Sequence, residues 1–174
     1  SANDGLELED GHLMDLSEED WELSMGSKLH TQIRCCKEAV PLMRSRGGGC
    51  IVNVIGNRGK HPAGESLTVG AANAALTNFT VALGQDEGSN NIRVVGVSPA
   101  PVVTRRQLGA MEKRAKALGI PLEEATKLRL ADIPLGRAAR PEEVGDVVAF
   151  AASDRAGFIT GTVIYVDGGS TPSV

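Results

Sequence analysis

The sequence has few of the features that nucleic-acid-binding and membrane proteins require. Aromatic residues make up only 3% of the chain, so no platform for stacking unpaired bases is visible. The net charge of −4 provides no basic patch for phosphates, and no run of about 18 apolar residues is present. The amino-terminal stretch SANDGLELED is acidic, unlike a secretory signal sequence. We therefore expect no nucleic-acid partner and no membrane partner.

Metal-binding and disulfide patterns are also missing. The three cysteines and three histidines show neither the spacing of metal ligands nor that of a disulfide framework: Cys35, Cys36, Cys50, His12, His30 and His61. The sequence therefore predicts no metal site, and its cysteine usage suits a reducing cytoplasm. With 174 residues and a hydrophobic content of 41%, the chain is expected to form a single domain over residues 1–174.

Hydrophobic spacing predicts alternating strands and helices. Three short runs rich in β-branched residues are typical of buried strands, at 50–55, 92–97 and 162–166. Helical patterns cover 17–46, 67–83, 105–130 with a break at Pro121, and 141–153. Ser17 and Asp20 form a capping box at the start of the first helix. This order predicts an α/β fold whose three strands are parallel neighbours in chain order, with the first two helices packed together on one face.

A turn of one acid and two glycines, Asp167-Gly168-Gly169, ends the last predicted strand. Glycine allows a sharp turn and the close approach of another backbone. Open α/β folds bind their ligands at the carboxyl ends of their strands. The turn is therefore expected at the ligand-binding edge of the sheet.

Three stretches together resemble the short-chain dehydrogenase/reductase family: GGCIVNVIGNRG, IRVVGVSPAPVVT and IPLGRAARPEEVGDVVAFAASDRAGFITGTVIYVDGG. The resemblance covers nearly the whole chain, but only the carboxyl-terminal two thirds of a family member. It implies a Rossmann-like three-layer sandwich, a mostly parallel sheet with helices on both faces, whose first strands are not in this sequence. It also implies an oxidoreductase that uses NAD or NADP on a carbonyl or alcohol substrate and assembles as a homodimer or homotetramer.

The glycine-rich turn with which the family binds its cofactor's phosphates has no counterpart in the sequence. Gly47-Gly48-Gly49 precedes a strand instead of opening a helix, so it is interpreted as a helix stop. Ser1-Ala2-Asn3 is a weak match to the family's Asn-Ala-Gly turn. We expect either a fragment of a longer protein, which we favour, or a natural truncation. The 174 residues alone should not bind NAD or NADP measurably, because nothing in them would anchor the pyrophosphate or adenosine.

The family's catalytic residues are replaced. Its Ser, Tyr, Lys and Asn positions fall on Gly56, Val69, Asn73 and Lys28. Because valine cannot transfer a proton, the usual general acid is absent. Ser66, one turn before Val69, is a candidate substitute, although the alternative that it caps the following helix is favoured. The resemblance thus leaves the catalytic residues unknown.

The sequence matches the family better at the positions that contact the cofactor than at the catalytic positions. Pro99, Val102 and Thr104 occupy positions that in the family meet the nicotinamide and its pyrophosphate, Val102 through its backbone and Thr104 through its hydroxyl. Ala100 replaces the family's usual glycine there. The alternative role for Thr104 is that of a plain helix N-cap, and the sequence leaves both open.

The matched cofactor positions and the replaced catalytic positions together lead to two possible functions from different classes. The leading one is an NAD(P)-dependent oxidoreductase, incomplete or catalytically impaired as given. The alternative is a non-catalytic relative whose fold serves assembly or binding. The matched cofactor loop favours the first function, and the four replaced catalytic positions favour the second.

Overall fold

The computed structural model describes residues 11–171, apart from the side chain of Arg106, so Ser1-Ala2-Asn3 lies outside the described residues. Its strands are β1 (Gly49–Val54), β2 (Ile92–Pro99) and β3 (Thr162–Val166). Its α-helices are α1 (Glu18–Ser24), α2 (Thr31–Ser45), α3 (Leu67–Asp86), α4 (Arg105–Leu118), α5 (Leu122–Leu130) and α6 (Pro141–Ala152). A π-helical turn, Met25–His30, joins α1 to α2.

The three strands form one parallel sheet in the order β1-β2-β3. Cys50 pairs with Arg93 between β1 and β2, and Val95 pairs with Thr162 between β2 and β3. β2 is the central strand, and its valines at 94, 95 and 97 have no exposed surface. Such a strand is buried on both faces, which explains its nearly continuous apolar run. The predicted strand order and parallel pairing are confirmed.

Helices cover both faces of the sheet. Side chains three residues apart on a strand point to opposite faces. On one face, the Cys50 thiol donates to the carbonyl of Ala151 in α6, at 3.4 Å. On the other face, the Asn53 amide donates to the Thr80 hydroxyl of α3, at 3.0 Å. The chain therefore has the predicted α/β sandwich of the Rossmann-like type.

The first helix is not one continuous α-helix, as the sequence pattern had suggested. The predicted capping box is present, since the Asp20 N–H donates to the Ser17 hydroxyl at 3.2 Å and the Ser17 N–H donates to the Asp20 carboxylate at 2.8 Å. After α1, however, the backbone hydrogen bonds widen to a π-helical spacing. The carbonyl of Gly26 accepts from both the N–H and the hydroxyl of Thr31, five residues later. These two donors stabilise the wider turn.

Close backbone contacts hold α3 in place. A Cβ atom on Gly59, in the loop after β1, would lie 2.6 Å from the backbone nitrogen of Ala74. A Cβ atom on Gly84 would lie 2.5 Å from the backbone nitrogen of Gly161. α3 is long and apolar enough to cross a membrane by length and composition, a property it shares with core helices of soluble proteins. Small residues thus allow α3 to pack directly against its neighbours.

The predicted helical stretch over 105–130 is divided, as expected, near Pro121. α4 ends at Gly119, whose φ of +65° suits glycine, and α5 begins just after Pro121. α6 begins with Pro141 at its first turn, where the missing N–H costs nothing. The three helices therefore follow the start and stop signals in the sequence.

Candidate active site

The loops that follow β1, β2 and β3 lie at one edge of the sheet, because parallel strands end on the same side. Gly56 follows β1, Ala100 follows β2 and Asp167 follows β3. α3 starts after the first of these loops and carries Val69 and Asn73. The positions to which the resemblance assigns catalytic and cofactor roles therefore lie at or near this edge, apart from Lys28.

Gly56 and Asn73 lie against each other. A Cβ atom on Gly56 would be only 2.8 Å from Asn73 Nδ2. The Asn73 side chain is buried, with 3% of the residue exposed, and it forms no hydrogen bond with another residue in the range 11–171. Buried amides in proteins are nearly always paired. The structure thus places an unpaired polar group where the resemblance puts the family's Lys, next to the position of its Ser.

Val69 and Ser66 are on the same part of α3. Val69 lies four residues before Asn73, so both side chains are on one side of the helix. Ser66 is buried and occupies the N-cap position, but its hydroxyl accepts no capping hydrogen bond. Ser66 therefore occupies the predicted N-cap position of α3, but its side chain does not cap the helix. The chain's single tyrosine, Tyr165, is on β3.

Lys28 lies on the π turn, which packs against α3. Its side chain is half-buried. π turns occur frequently at functional sites, because they change the direction in which a few side chains leave the helix. Lys28 is thus on a distorted turn of the helix adjacent to the one that carries Val69 and Asn73.

The backbone of Val102 lies in the loop after β2. Val102 forms an isolated parallel bridge with Ala139, in which the Val103 N–H donates to the Ala139 carbonyl and the Ala139 N–H donates to the Pro101 carbonyl, both at 2.9 Å. The N–H and the carbonyl of Val102 itself form no hydrogen bond within the described part of the chain. This backbone position is half-buried and is open to a ligand.

Thr104 starts α4. Its hydroxyl accepts a hydrogen bond from the Gln107 N–H at 3.2 Å, so it serves as a helix N-cap. Its own O–H group remains able to donate. Pro99, two residues before the bridge-forming segment, is the last residue of β2. The two roles considered for Thr104 are therefore compatible.

The Asp-Gly-Gly turn after β3 is a structural element first. The Asp167 carboxylate accepts hydrogen bonds from the Gly169 N–H at 3.1 Å and the Thr171 N–H at 2.9 Å. Burial raises the pKa of Asp167, but the bonds to Thr171 and Gly169 outweigh it and hold the pKa below its ordinary value. Thr171 also binds His61 Nε2 at 2.6 Å. This network connects the end of β3 to the loop after β1.

One group of charged residues could not be found from sequence spacing. It lies beside the loop after β1 and consists of Arg58, Glu65, Arg114, Arg129 and Asp132. These residues come from three segments, namely the loop after β1, α4 and the end of α5, and tertiary packing brings the segments together. No group of three or more His, Cys, Asp or Glu side chains in residues 11–171 could hold a metal ion.

Comparison with known proteins gives consistent matches. Residues 2–171 match the family model described as enoyl-(acyl carrier protein) reductase. An uncharacterized oxidoreductase of Thermotoga maritima is 37% identical over 92% of this chain and 62% of its own length. The meso-2,3-butanediol dehydrogenase of Serratia marcescens is 37% identical over 94% of this chain and 60% of its own length.

The similarity to solved structures is consistent with these sequence matches. Sorbitol-6-phosphate 2-dehydrogenase from Erwinia amylovora superimposes with a TM-score of 0.90 at 25% identity, over 97% of this chain and 66% of its own. L-sorbose reductase from Gluconobacter frateurii, complexed with NADPH and L-sorbose, gives a TM-score of 0.87 at 25% identity, over 95% of this chain and 63% of its own. The chain spans 50% of the length of a short-chain-type dehydrogenase/reductase from Bradyrhizobium diazoefficiens and about 60% of the two sequence relatives above.

Proposed function

Because this chain belongs to the short-chain dehydrogenase/reductase family, we propose that it is part of an oxidoreductase that uses NAD or NADP on a carbonyl or alcohol substrate. One observation carries the proposal. Within residues 11–171, the backbone N–H and carbonyl of Val102 form no hydrogen bond, and the resemblance assigns this position to contact with the nicotinamide and its pyrophosphate. The similarity to a reductase solved with NADPH further supports a nicotinamide cofactor.

The residues present fit the nicotinamide end of such a cofactor. The Val102 backbone offers one donor and one acceptor, which match the carboxamide group. The buried amide of Asn73 has no partner in residues 11–171 and is suited to a ribose hydroxyl. When bound, the nicotinamide would supply or accept the hydride. The residues of this chain would bind and orient it.

We propose that the chain is impaired in the proton-transfer step of the reaction. Gly56 and Val69 carry no group that can give or take a proton, and the amide of Asn73 is uncharged. The same replacements favour the alternative function, a non-catalytic relative that binds or assembles. We further propose that the chain acts as one domain in the cytoplasm, which its free thiols at Cys35, Cys36 and Cys50 support.

Cofactor titration tests the oxidoreductase proposal. We expect the 174-residue chain alone to show no measurable binding of NADH or NADPH by calorimetry. The sequence contains no glycine-rich turn that opens a helix, and such a turn is what supplies backbone N–H groups to a pyrophosphate. The protein expressed together with the coding sequence upstream of Ser1 should bind one of the two cofactors.

Each of the two titrations, of the 174-residue chain and of the extended protein, has an outcome that would contradict our expectation. Micromolar binding by the 174 residues alone would contradict our account of the phosphate site. Binding of neither cofactor by the extended protein would favour the non-catalytic alternative. The meso-2,3-butanediol dehydrogenase of Serratia marcescens is the control protein for both titrations.

We also propose that the chain assembles through α2 and α3. Between these helices lies a groove of about 320 Å³ whose apolar lining includes Ile33, Val40, Pro41, Phe79 and Leu83. The alanines of α3 differ in exposure: Ala72 is fully buried inside the protein, whereas Ala74 and Ala82 are exposed. A second copy could cover the groove and the exposed alanines together, as a homodimer, or as a homotetramer if β3 forms another contact.

Light scattering tests this assembly. We expect a dimer or tetramer at micromolar concentration and a shift to monomer for Phe79→Lys, which puts a charge into the groove. Phe158→Lys is the matched control, because Phe158 is fully exposed on a turn before β3. A stable monomer for the unmodified chain would overturn the proposal.

A further inference from the structure

Three arginines from different parts of the chain meet beside the loop after β1. Arg58 lies in the 3₁₀ turn Asn57–Gly59, Arg114 lies on α4 and Arg129 lies on α5. Glu65 is between the first two: its Oε1 atom is 3.8 Å from Arg58 Nη2 and 3.4 Å from Arg114 Nη1. We call these four residues the arginine cluster.

The cluster has more positive than negative charge. Among the described residues, the carboxylates that act on Arg129 are those of Glu65 and Asp132, against the charges of Arg58 and Arg114. Burial, and then the two neighbouring guanidinium groups, lower the pKa of Arg129. Arg129 forms no hydrogen bond or ion pair with a residue in the described range. A local excess of positive charge is unusual for a chain with a net charge of −4.

One donor in the cluster is buried and unsatisfied. Arg114 Nε is inaccessible to solvent and has no hydrogen-bond partner among the residues that the structure describes. Its Nη1 atom reaches Glu65 only at 3.4 Å, and Glu65 itself is half exposed. Leaving a buried charged donor unpaired is costly, so such donors normally have a partner. The carboxylate of Glu65 therefore leaves some of the hydrogen-bond donors of the arginine cluster without an acceptor.

The arginine cluster borders the candidate active site. Arg58 is two residues beyond Gly56, and its carbonyl would lie 3.4 Å from a Cβ atom on Gly70, the residue after Val69. Glu65 directly precedes Ser66, at the start of α3. The loop that carries the Ser position of the family therefore also carries two residues of the cluster, Arg58 and Glu65.

We propose that Arg58, Arg114 and Arg129 bind an anionic group of the substrate, a carboxylate or a phosphate. The proposal rests on the proposed function, since it assigns a substrate class to the same site. Guanidinium groups match the planar oxygens of carboxylates and phosphates and form charge-assisted hydrogen bonds with them. The incoming anion pairs with Arg129 and with Arg114 Nε and displaces the loosely held Glu65.

The test reads anion binding directly, without cofactor and without turnover. The ¹⁵N-labelled chain is titrated with inorganic phosphate and, separately, with acetate, at constant ionic strength, and the arginine Nε–Hε resonances are followed by NMR. We expect saturable shifts of the Arg114 and Arg129 resonances. Tighter binding of phosphate than of acetate indicates a phosphorylated substrate, and the reverse order indicates a carboxylate.

Four variants show whether the cluster is responsible. Arg114→Gln and Arg129→Gln should each weaken binding about tenfold, because each removes a hydrogen bond to a charged group. Glu65→Gln should strengthen binding several-fold, because it removes the competing carboxylate. Arg155→Gln removes the same charge from an exposed arginine beside Phe150 and should change nothing.

The increase expected for Glu65→Gln keeps the test decisive even if an arginine variant folds poorly. Absence of saturable shifts with both anions would overturn the proposal, and so would an affinity that Glu65→Gln fails to raise. Equal losses in Arg129→Gln and Arg155→Gln would show a general charge effect and would overturn it too. If the extended protein binds no cofactor, the proposed oxidoreductase function fails in that titration, while the anion result stands independently.

Discussion

Replacing Gly56 by Ser, Val69 by Tyr and Asn73 by Lys together should raise the rate of carbonyl reduction by about 10²–10⁴-fold, the usual contribution of general acid–base assistance. The experiment uses the protein expressed with the coding sequence upstream of Ser1 and a panel of ketones with both cofactors. Val69 offers only methyl groups, so the unmodified site has no phenol to donate a proton. Asn73 carries no charge that could depress the pKa of a neighbouring acid.

The geometry requires that the three substitutions be made together. The Asn73 amide fills the space beside Gly56, at 2.8 Å from the Cβ atom that a side chain there would add. Gly56→Ser alone would therefore crowd Asn73 and is expected to cost about 1–3 kcal/mol of stability. With Asn73→Lys in the same protein, a longer side chain can leave that space.

A matched control separates proton donation from the filling of space. The triple variant with Val69→Phe in place of Val69→Tyr adds a ring of similar size without a hydroxyl, so it should show no gain in rate. If the unmodified protein already turns over rapidly and the triple variant gains nothing, the site uses other residues. Ser66 would then be the first position to change, followed by Lys28.

Gly84→Ala should lower the free energy of unfolding by about 1–3 kcal/mol or more. The added Cβ atom would lie 2.5 Å from the nitrogen and 2.6 Å from the Cα of Gly161. These are backbone atoms, and Gly161 is held by a hydrogen bond from its N–H to the Val94 carbonyl at 2.9 Å. Neither α3 nor the loop around Gly161 can move away without disturbing β2. The steric clash therefore outweighs the gain in helix propensity that alanine provides.

Urea denaturation measures the effect. Gly109→Ala is the control, because Gly109 lies inside α4 and a Cβ atom there would meet nothing within 4 Å. That variant should be more stable by about 0.5–1 kcal/mol, since alanine is the better helix former. Equal unfolding midpoints for Gly84→Ala and the unmodified chain would show that the contact between α3 and Gly161 is absent in solution.

The sheet could be predicted from the sequence because its signals are local. Each strand is a short apolar run, and α6 begins at Pro141 as expected. The π turn was missed, because its stabilising bond from Thr31 to Gly26 depends on backbone geometry that side-chain patterns do not encode. Local patterns determine where elements start and stop more directly than they determine hydrogen-bond spacing inside them.

The site could be predicted only in part. Alignment along the chain led to Gly56 and Asn73, and the structure brings the two together. The unpaired backbone of Val102 depends on its bridge to Ala139, which lies in a distant segment. The arginine cluster depends in the same way on how α4 and α5 fold over the loop after β1. Contacts between separate segments arise from tertiary packing and leave no spacing in the sequence.

The π turn also keeps the apolar positions of the first helix in phase. Trp21, Met25, Leu29 and Ile33 follow one another in steps of four residues. On a regular α-helix each such step rotates the side chain by about 40°, so three steps would wind the apolar stripe a third of the way around the axis. The extra residue taken up in Met25–His30 absorbs much of that rotation, and all four side chains are half-buried. The helix thus presents one continuous stripe although its sequence does not follow the α-helical repeat.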